Sequence, residues 1–308
     1  MINYTIIIPH KNIPHLLVRC LDSIPQREDV QIIVVDDNSD VKEVNGISLQ
    51  TLPERYPNIE FIWGKNEDGR KGAGYARNLG LERAKGKWLI FADADDFFMP
   101  CFNEVLDKYI DDENEIIYFY VTSADSDTLK PTTRHQYIID CMKKVQQTND
   151  WETMYQVNVP WGRLIKRKTV KDNCIQFQET SYANDVLFGL KLTNTAKKKI
   201  ISHNEIYCVT SRVDSMMGNN TTNSMLVRFQ TCCDAVDYLN FSKKGHCFAN
   251  ITYWWWTRIY LADKKTAMKS LLKMGKTIGI SYMFQAVTFT VKKQISCIKK
   301  WLLVIFKN

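Results

Sequence analysis

Three carboxylates, Asp93, Asp95 and Asp96, crowd the end of a short apolar run in WLIFADADDFF at residues 88–98. Trp88 to Ala92 is continuous, apolar and bounded by polar residues, the signature of a short buried strand. Carboxylates packed together repel one another and resist leaving water, so stability gives no reason for three of them there. A divalent cation carrying phosphate ligands gives one. Mg2+ and Mn2+ take hard oxygen ligands, often one or two carboxylates plus substrate phosphates. The plain alternative is a polar turn leading into a helix.

The elements that must position these acids can be read on both sides of them. Tyr4–Pro9 and Val30–Asp36 are Ile/Val-rich runs with the unbroken hydrophobicity of strands buried on both faces. Between them Leu16, Leu17, Cys20, Leu21 and Ile24 fall at helical spacing. A third strand is expected at Ile59–Trp63, a helix at Ala73–Lys85, the strand ending at the acids, a helix at Pro100–Ile110 and a fifth strand at Ile116–Val121. Alternating strand and helix predicts a mainly parallel sheet covered on both faces. Ligands then bind beyond the carboxyl ends of the strands, where Asp36-Asp37 and Asp93/Asp95/Asp96 both fall. Residues 123–159 lose the pattern and read as a link to a second half; beyond Gly218 the sequence turns helical, aromatic and basic.

Composition bounds the class. The 308 residues are 45% hydrophobic and 24% charged, an ordinary globular balance. Nine scattered cysteines, with no CxxC pair, argue for reduced thiols and a cytoplasmic protein. The apolar run at the amino end lacks a basic flank and is too short for a signal peptide. The net charge of +7 is unevenly spread: residues 243–308 hold 13 Lys or Arg against the single acid Asp263, a net +12 against −5 for residues 1–242. Lys265, Lys269, Lys273 and Lys276 form a stripe opposite Ala267, Leu271 and Met274 or Ile278. The uncharged stretch Thr277–Val291, 15 residues, falls short of the ~20 needed to span a bilayer. Helices lying on an anionic membrane suit this tail, and a pair packed on the domain with a solvated lysine face is the alternative. The tryptophans 254–256 suit lipid better than nucleic acid.

In order, the chain carries IIIPHKN at 6–12, IIVVDDNSD at 32–40, GAGYARNLGLERAKGKWLIFADADD at 72–96, WGRLIKR at 161–167 and NDVLFGLKL at 184–192. This series resembles family 2 glycosyltransferases of the GT-A fold, in detail over residues 3–121 and more loosely over 160–217. The resemblance implies a Rossmann-like, mainly parallel α/β domain over residues 1–217, followed by a helical, basic region over 218–308. It implies that Pro9 shapes the floor of the nucleotide pocket, although His10-Lys11 replaces a commoner aliphatic-aromatic pair and Lys11 reads equally as a solvated loop residue. Asp37 matches the acid that accepts the imide N–H of a base such as uracil. Gly74 and Arg77 fall in the diphosphate-binding region. Asp93 matches the first acid of the DxD motif, on the ribose or diphosphate, and Asp95 the metal ligand.

Asp96 either orients Asp95 or caps the next helix, the cap being preferred. Asp185 matches the general base of an inverting transfer, with Asn184 in place of the usual neighbouring acid; it also reads as the cap of the helix that follows. Trp161 matches an aromatic on the acceptor side, or is a buried structural tryptophan. Arg212 and Ser215 resemble an R-x-x-S segment that closes over the diphosphate. The implied activity is Mn2+- or Mg2+-dependent transfer of one sugar from a nucleotide-sugar donor, UDP-linked, to a hydroxyl of a saccharide or lipid-linked saccharide, as in bacterial surface polysaccharide synthesis. The Q-x-x-R-W motif of processive synthases is missing. The implied location is peripheral, on the inner face of the cell membrane, with no nucleic acid as partner. A nucleotidyltransferase and a non-catalytic sugar-nucleotide-binding protein are the rival readings.

Overall fold

The structure, a computed structural model, describes residues 1–40, 43–64, 72–212 and 220–305. The chain divides into two compact units, Met1–Gly218 and Asn219–Asn308.

The first unit contains strands β1 (Tyr4–His10), β2 (Val30–Asp36), β3 (Glu43–Val44), β4 (Ile47–Ser48), β5 (Ile59–Trp63), β6 (Trp88–Phe91), β7 (Phe97–Phe98), β8 (Ile116–Asp125), β9 (Arg163–Lys166) and β10 (Lys199–Ser211). Its helices are α1 (Pro14–Asp22), α2 (Leu52–Arg55), α3 (Ala73–Arg83), α4 (Phe102–Tyr109), α5 (Gln136–Thr148), α6 (Arg167–Asp172) and α7 (Val186–Thr195). Among the described residues eight strands form one sheet in the order β5-β2-β1-β6-β9-β8-β10-β7, and β3 and β4 make a separate hairpin. The pairs β5/β2, β2/β1, β1/β6 and β8/β10 are parallel; β9 and β7 run antiparallel to their neighbours.

Every residue of β1 is buried, as the continuous apolar run demanded. The chain lays β2 and β5 on one side of β1, then returns across it to place β6 on the other. The point of reversal lies between β1 and β6, and sheets of this kind bind ligands beyond the carboxyl ends of the strands at such a point. Pro9 fits this geometry. The Ile7 carbonyl accepts from Ala92 N on the β6 side, and strand alternation turns residue 9 to the same side, where β6 has already ended. A proline there forfeits no ladder hydrogen bond.

Residues 123–159, read from sequence as a link, hold more order than that. β8 continues to Asp125, and α5 buries Ile138, Ile139, Met142 and Val145 on one face. WGRLIKR supplies β9, which runs antiparallel between β6 and β8.

The second unit consists of α8 (Thr222–Asn240), α9 (His246–Ala262), α10 (Lys264–Ile278) and α11 (Ile280–Ile305). Thr221 caps α8 by accepting from Ser224 N, and Asp263 caps α10 by accepting from Lys265 N and Thr266 N. α10 buries Ala267, Leu271, Met274 and Ile278 and leaves its lysines outside. Trp256 of α9 donates Nε1–H to the Ala267 carbonyl at 2.9 Å, which fastens α9 to α10.

Candidate active site

The site begins where β1 and β2 end. Ile13 N–H donates to His10 Nε2 at 3.2 Å, so the ring proton sits on Nδ1 and is donated to Asp36 Oδ1 at 2.8 Å. Asp36 also accepts from Ser39 N at 2.9 Å and Ser39 Oγ at 2.5 Å. This buried latch fixes the turn that carries Asp37. Asp37 N donates to the His10 carbonyl, and its Oδ1 accepts from Gly72 N at 2.8 Å. Lys11 donates to the Asp37 carbonyl at 3.0 Å and stands 3.8 Å from Oδ2, so it lies over Asp37 instead of pointing away as a loop lysine. His10 thus has a structural task that motif matching did not supply.

Gly72 leads into α3, and α3 carries Gly74 and Arg77. A Cβ on Gly74 would sit 2.0 Å from the Gln178 carbonyl oxygen, so the glycine is required for α3 to approach the loop before α7. Arg77 is buried between two partners: Nη2 donates to Asp93 Oδ1 at 2.6 Å and Nη1 to Asn184 Oδ1 at 2.8 Å. Its guanidinium lies 5.3 Å from the centre of the Phe177 ring. The side chain of the next residue, Asn78, accepts from Phe177 N at 2.9 Å and donates to Phe177 O at 3.0 Å. Phe177 stacks on Phe188 of α7 at 3.8 Å, and both meet Phe91 edge-on. One aromatic trio therefore ties the strand leading to Asp93 to both ends of the loop bearing Asn184-Asp185.

Asp185 occupies the N-cap position of α7, yet its side chain makes no capping hydrogen bond. The carboxylate is not spent on the helix. Burial pushes its pKa above the ordinary value, against the opposing pull of Arg77. Ala183, just before the pair, has φ of +55°. That conformation costs roughly 1–2 kcal/mol for a residue with a Cβ and is held by Gln178 N donating to the Asn184 carbonyl. Asn184 does without charge what a carboxylate would do there: its amide oxygen accepts from Arg77.

The three strand-end acids come together, with carboxylate oxygens within 4.8 Å of one another. They differ in what else holds them. Asp96 is buried; it accepts from Tyr207 Oη at 2.8 Å and Thr210 N at 2.7 Å, and burial raises its pKa well above the ordinary carboxylate value. The preferred expectation that Asp96 caps the next helix is therefore corrected: α4 starts at Phe102, with Cys101 at its N-cap position, and Asp96 is bound to β10 instead. Asp95 accepts from Arg212 Nε at 3.1 Å, and burial, then Asp93, pushes its pKa up. The side chains of Asp93 and Asp95 stay 31% and 22% exposed, so these two can still meet a ligand. The cluster offers an all-oxygen donor set, which fits Mg2+ or Mn2+.

Behind the acids, Tyr207 accepts from Asp93 N at 2.8 Å while donating to Asp96. Trp161, 6% exposed, stacks on Tyr207 at 5.5 Å. Trp161 thus packs beneath the acids, against the ring of Tyr207. Arg19 of α1 donates to the Asp95 carbonyl at 2.5 Å and the Ser126 carbonyl at 2.6 Å, fixing the acid loop from the other side. Ser215 lies outside the described residues.

Residues 5–173 match the family described as glycosyl transferase family 2. The chain is 23% identical over 228 residues to the glycosyltransferase GlyA of Streptococcus pneumoniae serotype 4, a match covering 69% of this chain and 31% of GlyA. It is 31% identical over 119 residues to the minor teichoic acid biosynthesis protein GgaB of Bacillus subtilis, covering 37% of this chain and 13% of GgaB. The chain thus spans less than a third of either relative. The structure of S. aureus TarS residues 1–349 in complex with UDP-GlcNAc superposes with a TM-score of 0.68 at 16% identity, covering 94% of this chain and 89% of that one. At that identity the likeness establishes the GT-A fold.

Proposed function

The chain belongs to glycosyl transferase family 2, and from that premise we propose that it moves one sugar from a UDP-sugar to a hydroxyl of a saccharide or lipid-linked saccharide, with inversion at the anomeric carbon. The observation that carries this reading is the linkage of Asp93 through Arg77 to Asn184, the residue next to Asp185. One guanidinium thereby holds a donor-side acid and the immediate neighbour of the candidate base.

In this reading Asp37 offers Oδ2 to the imide N–H of the base, its Oδ1 being held by Gly72 N. Asp93 takes the ribose or diphosphate side. Asp95, with Asp93 beside it, would hold Mn2+ or Mg2+. Such an ion, when bound, neutralises charge on the departing diphosphate. Arg212, which pairs with Asp95 here, is placed to neutralise diphosphate charge as well. Asp185 removes the proton of the acceptor hydroxyl at a carboxylate oxygen, and its raised pKa brings it nearer the operating pH of a general base. Trp161 acts below the site, as the support of Tyr207.

A UDP-sugar donor is supported by the likeness to TarS bound to UDP-GlcNAc, and a surface-polysaccharide acceptor by the similarity to GgaB. We place the protein in the cytoplasm, peripherally on the inner face of the cell membrane, because the last 66 residues carry +12 and the lysines of α10 face outward. Among the described residues no helix is long and apolar enough to cross a membrane.

The test is UDP release from a panel of UDP-sugars by the full chain and by Asp185→Asn. The substitution should lower kcat by roughly 10²–10⁴ with little change in donor KM. A loss confined to donor binding would remove Asp185 from the role of base.

A further inference from the structure

We propose that the outward face of α11 inserts into the headgroup–acyl boundary of an anionic bilayer, so that apolar burial and charge together hold the protein there. This rests on the peripheral placement proposed above and says which surface makes it.

Ile280, Phe284, Val287 and Val291 are 65%, 70%, 40% and 48% exposed. Their spacing, i, i+4, i+7 and i+11, lines them along one side of the helix for roughly 17 Å. The opposite side is already used. Ala286 and Thr290 are buried, Thr290 meets Thr257 of α9 at 2.7 Å, and Phe289 lies 6.0 Å from Tyr253. The rotation of α11 is therefore set by α9, and the exposed stripe cannot turn inward to find cover. A helix packed on one side in water normally shows polar residues on the other. Exposed apolar residues are unremarkable singly, but four in register form an interaction surface.

Charge selects the occupant. No acid follows Asp263, whereas Lys264, Lys265, Lys269, Lys273 and Lys276 of α10 are exposed. α10 and α11 lie in close contact at Gly275, where a Cβ would fall 2.0 Å from the Met283 sulfur. Met268 and Leu272, both more than half exposed, sit among the α10 lysines. An apolar strip beside a lysine field is the pattern of an interfacial helix on acidic lipid. A second copy of the chain would instead bring +12 against +12.

The experiment is sedimentation of the full chain with phosphatidylcholine vesicles and with vesicles of phosphatidylcholine and phosphatidylglycerol, at low salt and at 1 M salt. At 1 M the screening length falls to about 3 Å, which silences the lysines and leaves insertion. The wild type should bind the acidic vesicles and keep a measurable part of that binding in high salt. Ile280→Gln and Phe284→Gln should each lower partitioning by about tenfold and together abolish the salt-resistant part. Both positions are open to solvent, so the thermal unfolding midpoint should hold.

Complete release by high salt, or a double variant that binds like the wild type, overturns insertion and leaves charge-driven peripheral binding standing. Failure to bind either vesicle overturns both. A solution dimer that the double variant dissociates, without vesicle binding, makes the stripe a contact between copies. UDP release measured without vesicles judges the catalytic reading separately.

Discussion

Arg77 joins two parts of the site that lie far apart in sequence, and a double-mutant cycle with Asn184 tests that role. Lysine at position 77 keeps the charge but not the fork: an ammonium can stay on Asp93 and loses the 2.8 Å bond to Asn184 and the stack on Phe177. A hydrogen bond to a charged group is worth about 1.5–3 kcal/mol and a desolvated cation–π contact about 0.5–2 kcal/mol. Arg77→Lys should therefore cost about 2–5 kcal/mol, set against the roughly 5–15 kcal/mol that holds a domain folded. Asn184→Ala removes the same bond from the other side and should cost about 1.5–3 kcal/mol. Because the bond is shared, the double variant should cost less than the sum, by about 1–2 kcal/mol. The assay is urea unfolding of all four proteins, with initial rates of UDP release beside it. Loosening the Asn184-Asp185 loop should also lower kcat by about 10²-fold, the scale of a 1 Å misplacement. Additivity within about 0.5 kcal/mol would refute the shared-bond argument.

Asn184→Asp keeps an acceptor for Arg77 and adds a negative charge next to Asp185, so the acid limb of the kcat–pH profile should rise by about one unit; an unmoved limb counts against Asp185 as the titrating base. Asp96 gives a stability prediction with a definite sign. Its folded pKa is raised, so the folded protein holds the proton more tightly than the unfolded chain, and stability is lost as pH rises from the ordinary carboxylate range through the folded value. Relative to Asp96→Asn, the wild type should lose up to about 1.4 kcal/mol per pH unit over that window in urea unfolding. Parallel curves would show that Asp96 does not titrate there.

What the sequence revealed follows its physics. β1, β2 and β6 were legible because strands buried on both faces leave unbroken apolar runs, and the acids at their ends stood out because folding alone does not favour them. Helix α3 and the lysine face of α10 were legible from period. The partners of the site were not. Arg77 reaches Asn184 across 107 residues, and Tyr207 reaches Asp93 across 114, separations that no local pattern encodes. Asp96 looked like a helix cap because its neighbours in sequence form a turn; its actual partners, Tyr207 and Thr210, come from the other end of the domain. Residues 123–159 looked irregular because the end of β8 is polar and no side chain caps α5, although Ile138, Ile139, Met142 and Val145 carry its period. The burial of Trp161 was not legible because it is a property of the packed sheet.

The most direct test of the strand-end acids as a cation and diphosphate site is the initial rate of UDP release with Mn2+ present and after EDTA. The rate should fall to background in EDTA and return when Mn2+ is added in excess, and Asp95→Ala, still folded, should stay at background in both conditions. An unchanged rate in EDTA would contradict the account.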